Sequence, residues 1–147
     1  MSLRVLTRKT KIELISSDQD ICELLFAQKK TQDACRLFLD YFKKRDGLTR
    51  SELSQFAWSL EAGKIEEGFK YRRTSFYRQI RRVLLTLGLI AIEQRFETKQ
   101  DFDLTSYVVR EKYVPVRQPI PKRPPDGLSL PRLMWTICKR WNDEFLG

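Results

Sequence analysis

Hydrophobic positions along the chain fall into runs with helical spacing, followed by a stretch that alternates. Ala34, Leu37, Phe38, Tyr41 and Phe42 recur at intervals of three and four, which predicts an amphipathic helix ending at "KKRDG" with Gly47 beyond its last turn. "LTRSELSQFAWSL" places Thr49 and Glu52 at capping-box spacing, and Leu53, Phe56, Ala57 and Leu60 form one apolar face that Gly63 closes. A third helix is predicted from Thr74, with Phe76, Ile80, Val83, Leu84 and Leu87 on its buried side and Gly88 at its end. Its opposite side carries Ser75, Arg78, Gln79 and Arg82, with Tyr77 and Arg81 at the flanks. The pattern then changes to period two: "LIAIEQRF" reads as a strand with Ile90, Ile92 and Phe96 on one side. The polar segment "ETKQDFD" (97–103) is expected to turn the chain into a second strand, "TSYVVREKYVPV", completing a hairpin.

Outside this block the signals are weaker. "KIELIS" reads as a strand or an extended arm, and Ser17 or Asp18 is placed to cap a helix with Ile21, Leu24 and Leu25 on one face. The polar break "QKKTQD" (28–33) suggests a kink or a second helix start at Thr31. All six prolines lie in residues 115–131, which predicts an extended, stiff segment. A last amphipathic helix sets Met134, Ile137, Cys138, Trp141 and Phe145 on one stripe. The expected organisation is an N-terminal arm and helix (1–30), a helix–hairpin domain (31–116), a Pro-rich basic linker (117–129) and a C-terminal amphipathic helix (130–147). The fold class is α+β, mainly helical with a small β-hairpin.

Composition narrows the function. Hydrophobic residues make up 41% of the 147 and charged residues 32%, as in a folded globular chain. No apolar run approaches the ~20 residues that span a bilayer, and the amino terminus shows no apolar signal core, so no membrane association and a cytoplasmic location are expected. The three cysteines (Cys22, Cys35, Cys138) have no CxxC spacing and there is no histidine, which argues against a zinc or histidine metal site and a disulfide framework. No nucleophile motif, phosphate-cradling glycine loop or carboxylate pair points to catalysis, so neither an enzyme nor a bound cofactor is expected.

Charge points to a polyanion. The net charge is +9. Residues 64–82 hold Lys64, Lys70, Arg72, Arg73, Arg78, Arg81 and Arg82 against Glu66 and Glu67, so more than half of the excess lies in this short stretch. Two helices, an arginine-bearing helix ending in "LLTLGLI" and a hairpin, in that order, resemble the winged helix-turn-helix family over roughly residues 31–116. "TSFYRQIRRVLLTLGLI" is similar to the recognition helix of bacterial and archaeal regulators, with its closing corner and first wing strand.

The resemblance implies double-stranded DNA as partner and a small sequence-specific transcriptional regulator as function. A helix about 10 Å across fits a major groove about 12 Å wide when its back is anchored in a core. Arg78 and Arg82 are placed to donate to guanine, and Gln79 to meet adenine. Thr74, Ser75 and the first backbone amides of the helix are expected at a phosphate, as are Arg72, Arg73 and the neighbouring Lys70. Tyr77 and Arg81 complete the candidate site; Tyr77 and Tyr71 either donate to phosphate or pack. Two features depart from the pattern: the connector 63–73 is longer than a simple helix-turn-helix turn, and the wing tip "ETKQDFD" is acidic, a poor match to a negative minor groove. Arg95, Arg110 and Lys112 stay open as phosphate contacts. A homodimer is expected through the terminal helix and the helix near 18–44. Two other roles stand open: a replication or partition initiator of a mobile element, and a winged-helix module that binds protein.

Overall fold

A cluster of three phenylalanines organises the helical block. In the computed structural model, which describes residues 20–101, 104–127 and 129–146, Phe38, Phe56 and Phe76 come from three successive helices. Their ring centroids lie 5.3 to 5.6 Å apart, and all three side chains are buried. Burial of each contributes about 2 kcal/mol. The helices are α2 (Lys29–Lys43), α3 (Arg50–Glu61) and a composite helix, α4. α4 comprises Arg73–Ser75, a π-helical stretch Phe76–Arg81 and Arg82–Thr86, which follow one another without a break. Phe42 stacks on Phe38 and Tyr41 on Phe56, and Leu53 and Leu60 of α3 and Ile80 and Leu84 of α4 are buried as well.

Thr49 starts α3 with the capping box that the sequence predicts. Its side chain accepts from the Glu52 amide at 3.2 Å, and Glu52 Oε1 accepts from the Thr49 amide at 3.1 Å. The same residue ends β1 (Leu48–Thr49), which pairs antiparallel with β3 (Leu104–Pro115); β3 in turn pairs with β2 (Ile90–Asp101), giving the order β1-β3-β2. The fold is therefore α+β, with a small three-stranded antiparallel sheet among helices. Gly47 makes the approach to β1 possible: φ is +78°, and a Cβ there would meet the Tyr113 carbonyl at 3.2 Å.

The hairpin corrects one expectation. The β2–β3 register runs without interruption from Ile90↔Pro115 to Asp101↔Leu104, so residues 97–101 of "ETKQDFD" are strand rather than turn; positions 102 and 103 lie outside the described residues. Twelve residues at about 3.4 Å each make an arm about 40 Å long. The base of the arm is buried at Ile90, Tyr113 and Val114, whereas farther along Ile92 is 41% and Phe96 73% exposed.

Contacts divide the chain into residues 34–116 and a second unit made of 1–33 with 117–147. In that second unit, α1 (Ile21–Leu25) packs against α5 (Leu130–Phe145). The cap of α1 is Asp20, whose carboxylate accepts from the Glu23 amide at 3.0 Å; Ser17 and Asp18 lie outside the described residues, as does "KIELIS". α2 begins at Lys29, not at Thr31. The Pro-rich segment is fastened along α5: the Asn142 amide group bonds the Gln118 backbone in both directions (2.7 and 2.9 Å), and Trp135 Nε1 donates to the Pro121 carbonyl at 2.9 Å. Ile137 and Trp141 are buried, but Met134, expected on the same stripe, is 47% exposed.

Candidate nucleic-acid interface

The face of α4 opposite the phenylalanine cluster is built by the same spacing that anchors its back. Phe76, Ile80 and Leu84 are fully buried, and Arg78, Gln79 and Arg82 are exposed beside them. The π-helical stretch shifts the later residues. The Arg82 amide donates to the Tyr77 carbonyl, five residues back, which adds one residue to that turn. Position 87 then takes the azimuth that 86 has in a regular helix. Leu87, expected in the core, is 49% exposed, and Val83 is only half-buried. Gly88 (φ +74°) reverses the chain, and Leu89 enters the core instead.

The start of α4 is held by α3. The Arg73 backbone N–H donates to Glu61 Oε2 at 2.8 Å, and the Arg73 guanidinium carbon lies 3.6 Å from the centre of the Trp58 ring. The first amide of α4 is therefore occupied by a carboxylate rather than open to a phosphate, which corrects that part of the expected anion site. Thr74 and Arg72 are exposed; Ser75 is half-buried, not on the open face. Tyr71 is buried and donates its amide to the Leu60 carbonyl, so it packs. Tyr77 is half-buried edge-on to Phe76, and Arg81 turns back over it at 5.0 Å with a buried Nε that finds no acceptor. These two residues frame the face rather than project from it.

The connector 63–73, longer than a simple helix-turn-helix turn, is a tight reversal. Gly63 and Gly68 have φ of +76° and +80°, and the Phe69 amide donates to the Glu66 carbonyl at 3.1 Å. It exposes Lys64, Ile65 and Lys70.

Ion pairing separates the cations of this unit into two groups. Arg45 meets Glu52 at 2.7 Å, Arg50 meets Glu111 at 3.1 Å, and Arg95 meets Asp46 at 3.0 Å. Arg110 and Lys112 both reach Glu97, at 3.0 and 3.3 Å. The Asp46 carboxylate also raises the Arg95 pKa above its ordinary value, chiefly through their hydrogen bond. The three hairpin cations held open as phosphate contacts are thus already matched by carboxylates. Lys70, Arg72, Arg78 and Arg82 have no ion pair with any described residue.

Sequence reasoning missed Trp58 and Glu61. Trp58 carried a legible signal, because it is a large aromatic on the polar side of α3, and it is 54% exposed. Glu61 carried none. Among the described residues no group of His, Cys, Asp and Glu is arranged to hold a metal ion, and no helix is long and apolar enough to cross a membrane. No protein family, curated protein or solved structure matches this chain.

Proposed function

We propose that the chain binds double-stranded DNA as a winged helix-turn-helix protein and acts as a small sequence-specific transcriptional regulator, with α4 as the helix that enters the major groove. The observation that carries this reading is the pair Arg78 and Arg82. Both are exposed on a helix fixed from behind by Phe76, Ile80 and Leu84, and both lack a carboxylate partner among the described residues. Desolvated arginines without partners are costly against anything but an anion or a hydrogen-bond acceptor. Guanine presents two such acceptors in the major groove, and Gln79 between the arginines suits an adenine edge.

Arg72, Lys70 and Arg73 flank the helix start and supply phosphate contacts, which set register without reading bases. The order α2, α3, α4 and then a β2–β3 hairpin supports a winged-helix reading, with the hairpin in the place of the wing. Binding of the pure protein to a random duplex pool tests this. The expected result is enrichment of a defined motif with an affinity that falls linearly in the logarithm of salt concentration. Retention of no duplex at physiological salt overturns it.

A further inference from the structure

The hairpin does not share the positive character of α4. Residues 90–115 contain four basic and five acidic side chains. They are arranged in a way that the DNA reading leaves unused. β2 is an edge of the sheet along its whole length, since its only described partner strand is β3. Long open edges are sites of strand pairing unless they are blocked. β2 contains no proline and no bulge: its register with β3 is continuous.

The two faces of β2 differ. Ile92, Gln94, Phe96 and Thr98 alternate with Glu93, Arg95 and Glu97, so apolar and neutral side chains take one face and charges the other. Position 99, next in the charged series, is lysine. The charges thus alternate in sign every second residue. A strand with that series is self-complementary when it runs antiparallel to its own copy about Phe96. Arg95, which also holds Asp46 and Glu93 within its own chain, then faces Glu97 of the second chain; Glu97, which also holds Arg110 and Lys112, faces its Arg95; and Glu93 stands opposite position 99. On the other face Phe96, 73% exposed, meets its own equivalent. Moving the two-fold axis by one residue in either direction opposes like charges, Glu97 to Glu97 or Arg95 to Arg95, and moves Phe96 off its equivalent. Opposed like charges destabilise strand pairs and opposite charges stabilise them.

We propose that the outer edge of β2 pairs antiparallel with β2 of a second copy of this chain, about a two-fold axis at Phe96. The proposal goes beyond DNA binding and does not depend on it. The contact joins the two hairpins into one four-stranded ribbon through β2. It gives the exposed apolar face of the arm a function, and it accounts for an arm too acidic to favour a minor groove. It also assigns the dimer contact to the arm and not to the terminal helix, whose Ile137 and Trp141 are already buried.

Charge exchange between two variants tests this, read as molar mass by sedimentation equilibrium with circular dichroism to confirm folding. Wild-type chain is expected to dimerise. Arg95→Glu alone opposes Glu to Glu twice, Glu97→Lys alone opposes Arg to Lys twice, and each is expected to weaken the dimer about tenfold or more. An equimolar mixture of the two restores opposite charges across the axis and is expected to form a heterodimer, although neither chain's internal pairs have been repaired. Monomeric wild type, single variants that dimerise like wild type, or folded variants that fail to associate on mixing each overturn the proposal.

Cysteine cross-linking provides a second test that leaves those charges in place. Directly opposed residues in antiparallel strands lie about 4.5–5.5 Å apart at Cα, within disulfide reach. Phe96→Cys is expected to give a covalent dimer on mild oxidation, and Thr98→Cys, whose equivalents stand about 13 Å apart at ~3.3 Å per residue, is not. No cross-link at 96, or equal cross-linking at both positions, overturns the proposal.

Discussion

The guanidinium of Arg73 sits over the Trp58 ring, its carbon 3.6 Å from the ring centroid, joining the first residue of α4 to the last turn of α3. The same arginine donates its backbone amide to Glu61. Together these contacts tie the start of α4 to α3, so they orient the helix that is proposed to enter the major groove. The Trp58 ring is more than half exposed, so Trp58→Ala is expected to cost the fold only about 1 kcal/mol. Affinity for a selected duplex should fall several-fold, since Arg73 loses its seat. Thermal unfolding and fluorescence anisotropy on one preparation separate the two effects.

The π-helical turn makes a sharp distinction between two leucines three residues apart. Leu84 is fully buried and Leu87 is 49% exposed. Leu84→Ala is expected to cost about 2–5 kcal/mol, and Leu87→Ala less than about 0.5 kcal/mol, in denaturant midpoints. Equal costs would place both on the core face and contradict the shifted phase.

The Thr49–Glu52 capping box links stability to acid. Hydrogen bonding from the Thr49 backbone holds the Glu52 carboxyl below its ordinary value of 4.5, helped by the Thr49 hydroxyl and by Arg45. The folded chain thus takes up this proton less readily than the unfolded chain. The stabilisation is present in full above the ordinary value and lost as pH falls through the lowered one. Wild type is expected to exceed Glu52→Gln in stability near neutral pH by under about 1 kcal/mol, a small margin because the carboxylate is partly solvated. The gap should close well below 4.5. Thr49→Ala removes the cap itself and should cost about 1 kcal/mol. Denaturation at the two pH extremes checks both variants.

Much of this architecture is legible in the residues, and the failures have physical causes. Phe38, Phe56, Phe76 and Ile80 announce their burial by helical spacing, and Thr49 with Glu52 announces its cap by side-chain chemistry that needs no tertiary partner. Leu87 misleads because a 3.6-residue period cannot register a turn that is one residue wider. The length of the hairpin is hidden because residues 97–101 are polar and carry no core signal; their strand geometry comes from the backbone of β3 opposite. In the candidate site, the exposure of Arg78, Gln79 and Arg82 follows from pattern alone. Which cations are already neutralised does not, because Arg95–Asp46 and Arg50–Glu111 join residues distant in the chain.

Arg78 and Arg82 are proposed to read DNA, and the double variant Arg78→Ala, Arg82→Ala tests this most directly. Both side chains are exposed, so the unfolding transition should be unchanged. Affinity for the selected duplex should fall about 100-fold or more, at roughly 1–3 kcal/mol for each lost base contact, and the preference over scrambled duplex should largely disappear. A folded double variant that binds and discriminates like wild type would contradict the account.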